Sequence, residues 1–390
     1  MKLGIIDLAM GGWSAGHSYS WGLAASIQRA DADSVFLTAN KNISSLKTAL
    51  LPEIAYLPGE WSLRSLLKLG RRNPLSASVK DLRLGAIGPI LQPEQFCAGT
   101  RNIAWVPDFQ PFVLEELYAE EERRKIAHRT ALLLDKADSV ILSSNDSLDC
   151  MKVFFPNALS KTHVLSFPSN FAFQEPAEEI EAVRERYHLP EKFLLVANQF
   201  WKHKNHRSVV EALGILKRRG KSITCVMTGL PADFRDRNNT LLSELFQYIA
   251  HENVNNECRV LGLVSRAELL GFLRTATALV QPSIFEGWNT TVQDAKALGC
   301  PLLLSDIHVH REQSPEAAAF FDIENPESLA DTIGALFDVL PARPDAESER
   351  AALATEKLFS IEHGKKAIAI FEGTASSVIS NAISTHYSRV

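Results

Sequence analysis

Only five cysteines are spread over the 390 residues, and no two of them form a Cys-x-x-Cys pair. Cys97, Cys150, Cys225, Cys258 and Cys300 are scattered and odd in number, which fits reduced thiols and argues against a disulfide framework or structural zinc. No run of about 18 apolar residues exists, so no segment reads as membrane-spanning. A basic excess is missing too: the formal net charge is −5. Nucleic-acid binders are usually basic over a whole domain or face, so no nucleic-acid partner is expected. Internal repeats, low-complexity tracts and a Gly-x-Gly-x-x-Gly fingerprint are also lacking, which leaves a nicotinamide dinucleotide poorly supported.

What is present is ordinary for an α/β enzyme. The chain is 46% hydrophobic and 22% charged, and its length favours two domains, each with a core. The opening apolar run is cut short by Asp7 and reads as a first strand, not a signal peptide. The expected location is cytoplasmic. One stretch, Leu66 to Arg83, sets Lys68, Arg71, Arg72, Lys80 and Arg83 among apolar residues. It is a candidate for peripheral contact with anionic lipid at the inner membrane face; its plain reading is a solvated helix and loop.

Short apolar runs alternate with helical periodicity, the pattern of parallel sheets with crossover helices. Strands are predicted at Leu3–Leu8, Ser34–Leu37, Asn102–Val106, Ser139–Leu142 and Thr162–Leu165, with a long helix from Leu114 to Ala137. A loop rich in Pro, Ser and acidic residues, Pro168 to Glu179, marks the hinge. Beyond it strands are predicted at Phe193–Ala197, Ile223–Thr228, Arg259–Leu263, Ala278–Gln281 and Pro301–Ser305. The helices between them are Asn205–Arg219, Thr240–His251, Arg266–Thr275 and Thr290–Leu298, and from Glu327 onward the chain reads as helices only. The division is therefore residues 1–170 and 171–390, two Rossmann-like halves whose ligands belong at the carboxyl ends of their strands, facing a shared cleft.

The most informative segment runs from Gln281 to Gly299. A buried strand ends at Pro282, a loop presents Glu286 and Gly287, and a helix begins near Thr290 with Asn289 or Thr290 as its N-cap. The free N–H groups of Thr290 and Thr291, the helix dipole and the carboxylates of Glu286 and Asp294 suit an anionic ligand that carries hydroxyls. The bland alternative is an acidic loop before a plainly capped helix.

This segment resembles the signature of the retaining glycosyltransferases of family 4 (glycosyl transferases group 1), in which two Glu residues are separated by seven others. The resemblance implies a GT-B fold, with Glu286 against the donor sugar. Asp294 stands where the family's second Glu holds the ribose, one methylene shorter. A second match is Gln199-Phe200-Trp201-Lys202-His203-Lys204-Asn205 after the first strand of the second half. The family usually has Gly-Arg and then Lys-Gly or Lys-Asn here, the Arg and Lys neutralising the donor diphosphate. Lys204-Asn205 matches the pair, Gln199 replaces the Arg, and Lys202 is a candidate for the missing charge. Leu302–Asp306 with Glu312, and Arg259–Val264 with Glu268, extend the match over about Phe193 to Asp322, with the base pocket near Gly229 and Gly262.

The first half matches less. Gly11 and Gly12 follow its first strand and are candidates for approach to the donor phosphates; His17 nearby is a further donor-site candidate. Trp105–Gln110 resembles an acceptor-side stretch in a subset of the family, although Pro111 replaces a common His. Asp108 there is a candidate for orienting the acceptor hydroxyl, against a loop-capping role. His203 with His206, and His308 with His310 on a loop, are candidate metal ligands by type, but no Asp-x-Asp pair lies in a suitable loop beside them and no metal or other cofactor is expected.

The resemblance implies transfer of a mannose- or glucose-type hexose from a nucleotide-diphosphate sugar to a saccharide or lipid-linked acceptor in cell-surface polysaccharide or lipopolysaccharide biosynthesis. Configuration is retained, a phosphate oxygen takes the proton, and Glu286, Lys202 and Lys204 stabilise the transition state. The alternatives are a GT-B epimerase and, from another class, a non-catalytic GT-B subunit that binds a nucleotide or stabilises a partner.

Overall fold

The computed structural model describes residues 1–8, 14–39, 53–57, 74–169, 180–233, 235–236, 240–314 and 318–377. It divides into two compact units, Met1–Gln174 with Glu356–Val390, and Glu175–Thr355. The sequence division differs in one respect, because it leaves everything after residue 170 to the second half. The C-terminal stretch bonds to the rest of the first unit: the Ser26 and Ser360 hydroxyls are 3.0 Å apart, and the Arg101 side chain donates to the Phe371 backbone carbonyl at 3.2 Å.

In the first unit the elements are β1 (Leu3–Ile6), α1 (Ser14–Arg29), β2 (Ser34–Thr38), β3 (Glu53–Tyr56), α2 (Pro74–Asp81), β4 (Ala86–Ile90), β5 (Arg101–Val106), α3 (Gln110–Val113), α4 (Glu120–Lys136), β6 (Ser139–Leu142), α5 (Asn145–Phe154) and β7 (Thr162–Val164). The sheet is all parallel, in the order β3-β2-β1-β4-β5-β6-β7. Residues of β1, β2, β4 and β6 are buried throughout, as expected where helices cover both faces, whereas the edge strand β3 is half-exposed.

Two strands here escaped the sequence reading. β3 is short and mostly polar at its ends. β4 is central but contains Gly88 and Pro89, residues that argue against a central strand. The sheet accepts them through a register irregularity between Ile87 and Ile90 against β5. A Cβ at Gly88 would lie 2.8 Å from the Ile103 carbonyl oxygen, so the close pairing needs glycine. The predicted helix from Leu114 instead begins at Glu120, where Glu120, Glu121 and Glu122 complement the dipole of the first turn. Residues 115–117 form a separate 3₁₀ turn.

The second unit contains α6 (Ile180–Arg186), β8 (Leu194–Ala197), α7 (His206–Arg218), β9 (Cys225–Thr228), α8 (Thr240–His251), β10 (Cys258–Gly262), α9 (Arg266–Thr275), β11 (Ala278–Gln281), α10 (Thr290–Ala297), β12 (Leu302–Ser305), α11 (His308–Gln313), β13 (Ala318–Phe321) and α12 (Pro326–Leu336). Helix α13 (Ala346–Glu372) starts in this unit and ends in the first. The sheet order is β10-β9-β8-β11-β12-β13, again all parallel. Strand order therefore reverses between β8 and β11. That reversal opens a crevice beyond their carboxyl ends, the usual ligand position in such sheets. β13, Ala-Ala-Phe-Phe at the sheet edge, was not predicted.

Candidate functional site

Both motifs of the second unit meet at that strand reversal. After β8 the chain makes a 3₁₀ turn, Lys202–Lys204, and then turns into α7 through Asn205 at φ 50°, ψ 42°. Asn tolerates this left-handed conformation better than most residues, which explains the Lys-Asn pair physically. A Cβ at Gly229 would lie 1.8 Å from the Asn198 carbonyl oxygen, so the end of β9 packs directly on the backbone that leads into the turn. After β11 the loop bends back, and Ile284 N–H donates to the His203 carbonyl at 2.9 Å.

The two loops close on an ion pair. Lys204 Nζ lies 2.6 Å from Glu286 Oε1, and both side chains are about nine-tenths buried. Asn289 Nδ2 donates to the same oxygen at 2.8 Å, while its Oδ1 accepts from Val292 N–H at 3.0 Å. Asn289, not Thr290, is thus the N-cap, and one amide ties the carboxylate to the start of α10. Burial pushes the Glu286 carboxyl up, but the charge and hydrogen bond of Lys204 outweigh it and hold the group below its ordinary value. Thr291 Oγ1 donates to the Ala197 carbonyl at 3.2 Å, which sets the helix against the end of β8. Gly287 is buried and Thr290 half-buried at the mouth of the helix.

Lys202 is exposed on the turn, and its ammonium makes no ion pair among the described residues. Gln199 is half-buried and brings no charge. Asp294 is fully buried and accepts from Arg266 Nη1 at 2.6 Å, so the surface at this point of α10 belongs to Arg266.

Several residues of the site were not singled out from the sequence. Gln313 of α11 accepts from Asn289 N–H at 3.3 Å and donates to the Asn289 carbonyl at 2.8 Å, clamping the N-cap. Arg343 donates to the carbonyls of Leu298 at 2.8 Å and Gly299 at 2.6 Å, satisfying the far end of α10. Neither residue belongs to a short motif, so only the fold brings them in. His310 was expected on a loop. It lies inside α11, fully buried, with Nδ1 3.1 Å from the Ser305 carbonyl oxygen. Burial lowers its pKa to about 4, that of His206 to about 3 and that of His203 to about 2, the neighbouring Lys204 charge adding to each. All three are neutral near pH 7. Among the described residues no three His, Cys, Asp or Glu side chains gather as a metal site, and no helix is long and apolar enough to cross a membrane.

In the first unit Asp108 Oδ1 accepts from Gln110 N–H at 2.9 Å, a contact that shapes the turn after β5. His17 Nδ1 lies 2.7 Å from Asp7 Oδ1. Gly11 and Gly12 fall outside the described residues, as do residues 66–73 of the basic stretch with Lys68, Arg71 and Arg72.

With this geometry in hand, the relatives are informative. Residues 179–343 match the family model of the glycosyl transferases group 1. No curated protein matches the sequence. A glycosyltransferase from Rickettsia africae is similar in structure at a TM-score of 0.64 and 16% identity, over 96% of this chain and 97% of that one. Sucrose-phosphate synthase from Thermosynechococcus elongatus aligns at 0.69 and 14% identity, over 96% and 100%. HepE of Anabaena in complex with UDP-glucose aligns at 0.67 and 14%, over 96% and 100%. The fold is GT-B, two parallel-sheet Rossmann-like units with helices. The match to the glycosyl transferases group 1 thus falls within the second unit of this fold.

Proposed function

We propose that the protein transfers a mannose- or glucose-type hexose from a nucleoside-diphosphate sugar to a saccharide or lipid-linked saccharide acceptor, with retention and without a metal, in the building of a cell-surface polysaccharide or lipopolysaccharide. The observation that carries this reading is the buried chain Lys204–Glu286–Asn289 at the strand reversal of the second unit. It joins a cation, a carboxylate and a helix N-cap in one place, the set needed for a diphosphate and a hydroxylated sugar together.

In this reading Glu286 holds the sugar and stabilises positive charge developing at the anomeric carbon. Lys204 and the N-terminus of α10 stabilise the leaving diphosphate. Lys202 supplies the charge that Gln199 lacks. Asp294 acts through Arg266, which meets the nucleoside in place of a direct carboxylate contact. The acceptor hydroxyl attacks from the face that the diphosphate leaves. UDP-glucose, the ligand in the HepE complex, is the first donor to try.

The test is release of nucleoside diphosphate from UDP-glucose, ADP-glucose, GDP-glucose and GDP-mannose, with chelator present and absent. Glu286→Gln should cut turnover at least about 100-fold while leaving nucleotide binding intact. Full turnover in that variant would remove Glu286 from the chemistry. Binding without turnover in the wild type would instead favour the non-catalytic nucleotide-binding subunit.

A further inference from the structure

The second unit holds a cavity beside its candidate donor site. Its volume is about 330 Å³, within the range of about 300–1,000 Å³ usual for small-ligand sites. The turn after β8, the first residues of α7, one face of α8 and Ile284 of the loop after β11 line it. On α8 the lining residues Leu241, Glu244, Leu245 and Tyr248 recur at helical spacing, so all four project from the same side.

Two kinds of surface meet in this cavity. Phe200, Leu245 and Ile284 are apolar, and Trp201 and Tyr248 bring half-buried aromatic rings. The Arg207 guanidinium lies 4.2 Å from the centre of the Tyr248 ring and is itself held by Glu211 at 2.6 Å, which steadies that ring. Asn205 and Glu244 add polar groups. Asn205 is the N-cap of α7, yet its side chain makes no cap hydrogen bond. Neither its amide nor the Glu244 carboxylate has a hydrogen-bond or ion-pair partner among the described residues.

A purely apolar ligand would leave both polar groups unsatisfied, and a purely ionic one would gain nothing from the rings. A pyranose has both surfaces. Its C–H groups form an apolar face that lies on an aromatic ring, while the hydroxyls at its edge donate to a carboxylate and exchange hydrogen bonds with an amide. We infer that this cavity binds one hexose residue of a saccharide substrate, the sugar lying on the Trp201 and Tyr248 rings with its hydroxyls on Asn205 and Glu244. The inference rests on the glycosyl-transfer reading, which selects a saccharide among ring-shaped ligands. It adds a saccharide subsite to the unit that reading assigns to the nucleotide sugar. Lys202 also lines the cavity, so the bound residue lies beside the turn that carries the donor-site lysines.

The experiment is saturation-transfer NMR and titration calorimetry of the full chain, without nucleotide, using methyl α-glucoside, methyl α-mannoside, maltotriose and mannotriose. At least one of the four should bind saturably at millimolar concentrations. Asn205→Gly tolerates the left-handed backbone and removes the amide, and Glu244→Ala removes an exposed carboxylate. Each should raise the saccharide Kd about 3- to 10-fold, the loss of one net hydrogen bond, at wild-type Tm. Tyr248→Leu, which keeps apolar bulk without the ring, should raise it about tenfold. The nucleotide-induced rise in Tm should be unchanged in Glu244→Ala and Tyr248→Leu. No binding of any of the four saccharides, binding that all three variants leave unchanged, or binding that UDP, GDP or ADP abolishes overturns the inference. Release of nucleoside diphosphate from a nucleotide sugar by the same preparation would then leave the transferase reading standing. Saccharide binding as expected, with no release from any donor, overturns the transferase reading alone.

Discussion

Lys204 and Glu286 approach within 2.6 Å from loops that follow two different strands, with 81 residues between them in the chain and almost no solvent around either. Removing one member of a buried pair leaves an uncompensated charge, at a cost of about 3–5 kcal/mol. For a unit of this size that corresponds to a drop of about 10 °C in Tm for Lys204→Met. The double variant Lys204→Met, Glu286→Leu should recover much of the loss, because neither charge then remains buried. Calorimetry of the three proteins checks both expectations.

The same pair has a pH signature. The Glu286 carboxyl is held below its ordinary value of 4.5, so its stabilising contribution is present above that value and is lost as pH falls through the lower folded one. The Tm difference between wild type and Glu286→Gln should therefore be constant from pH 7 to about 5 and shrink below. A difference that grows on acidification would contradict the assignment.

Lys202 differs from Lys204 because its ammonium is exposed. Lys202→Ala should leave Tm within about 1 °C of wild type, since exposed charges contribute little to folding. It should raise the donor KM by about tenfold and weaken the salt dependence of donor binding, because one phosphate contact is lost. Steady-state kinetics at two ionic strengths read both effects.

Buried histidines make the protein acid-sensitive. Burial lowers His203 to about 2, His206 and His363 to about 3 and His310 to about 4. Each takes a proton when unfolded, near 6.5, before it does so when folded. Stability is thus complete above about pH 6.5 and declines as pH falls toward the folded values, by up to about 1.4 kcal/mol per pH unit for each group. His363 makes no side-chain hydrogen bond among the described residues. His363→Leu should therefore flatten the pH slope without lowering Tm at pH 8.

Gln313 tests positioning without charge. Gln313→Ala unclamps Asn289 and leaves buried groups unsatisfied, at about 1–3 kcal/mol. Turnover should fall more than donor affinity does, since the variant loosens the carboxylate–N-cap geometry and not the cations. Equal effects on kcat and KM would assign Gln313 to plain packing.

The legible parts of this protein are those where the signal is local. Uniformly buried parallel strands are apolar runs, so β6, β11 and the helices α8 and α9 fall where periodicity predicts them. The loops after β8 and β11 stand out because Lys204-Asn205 and Glu286 to Asn289 carry backbone and charge requirements in a few residues. Other features depend on distant partners. β4 hides behind Gly88-Pro89, which only its neighbours explain. Asp294 is paired with Arg266, 28 residues earlier, a partner that no motif records. Gln313 and Arg343 act through backbone carbonyls and amides that no motif records, and His310 looks like a loop residue until α11 buries it.

The most direct test of donor binding at the second unit's strand reversal is a thermal-shift titration with UDP, GDP, ADP and CDP on wild type and Lys202→Ala. The expected result is a rise in Tm with one nucleoside diphosphate, growing with the logarithm of its concentration and reduced at each concentration in Lys202→Ala. No rise with any of the four, or a rise that Lys202→Ala leaves unchanged, would contradict the account.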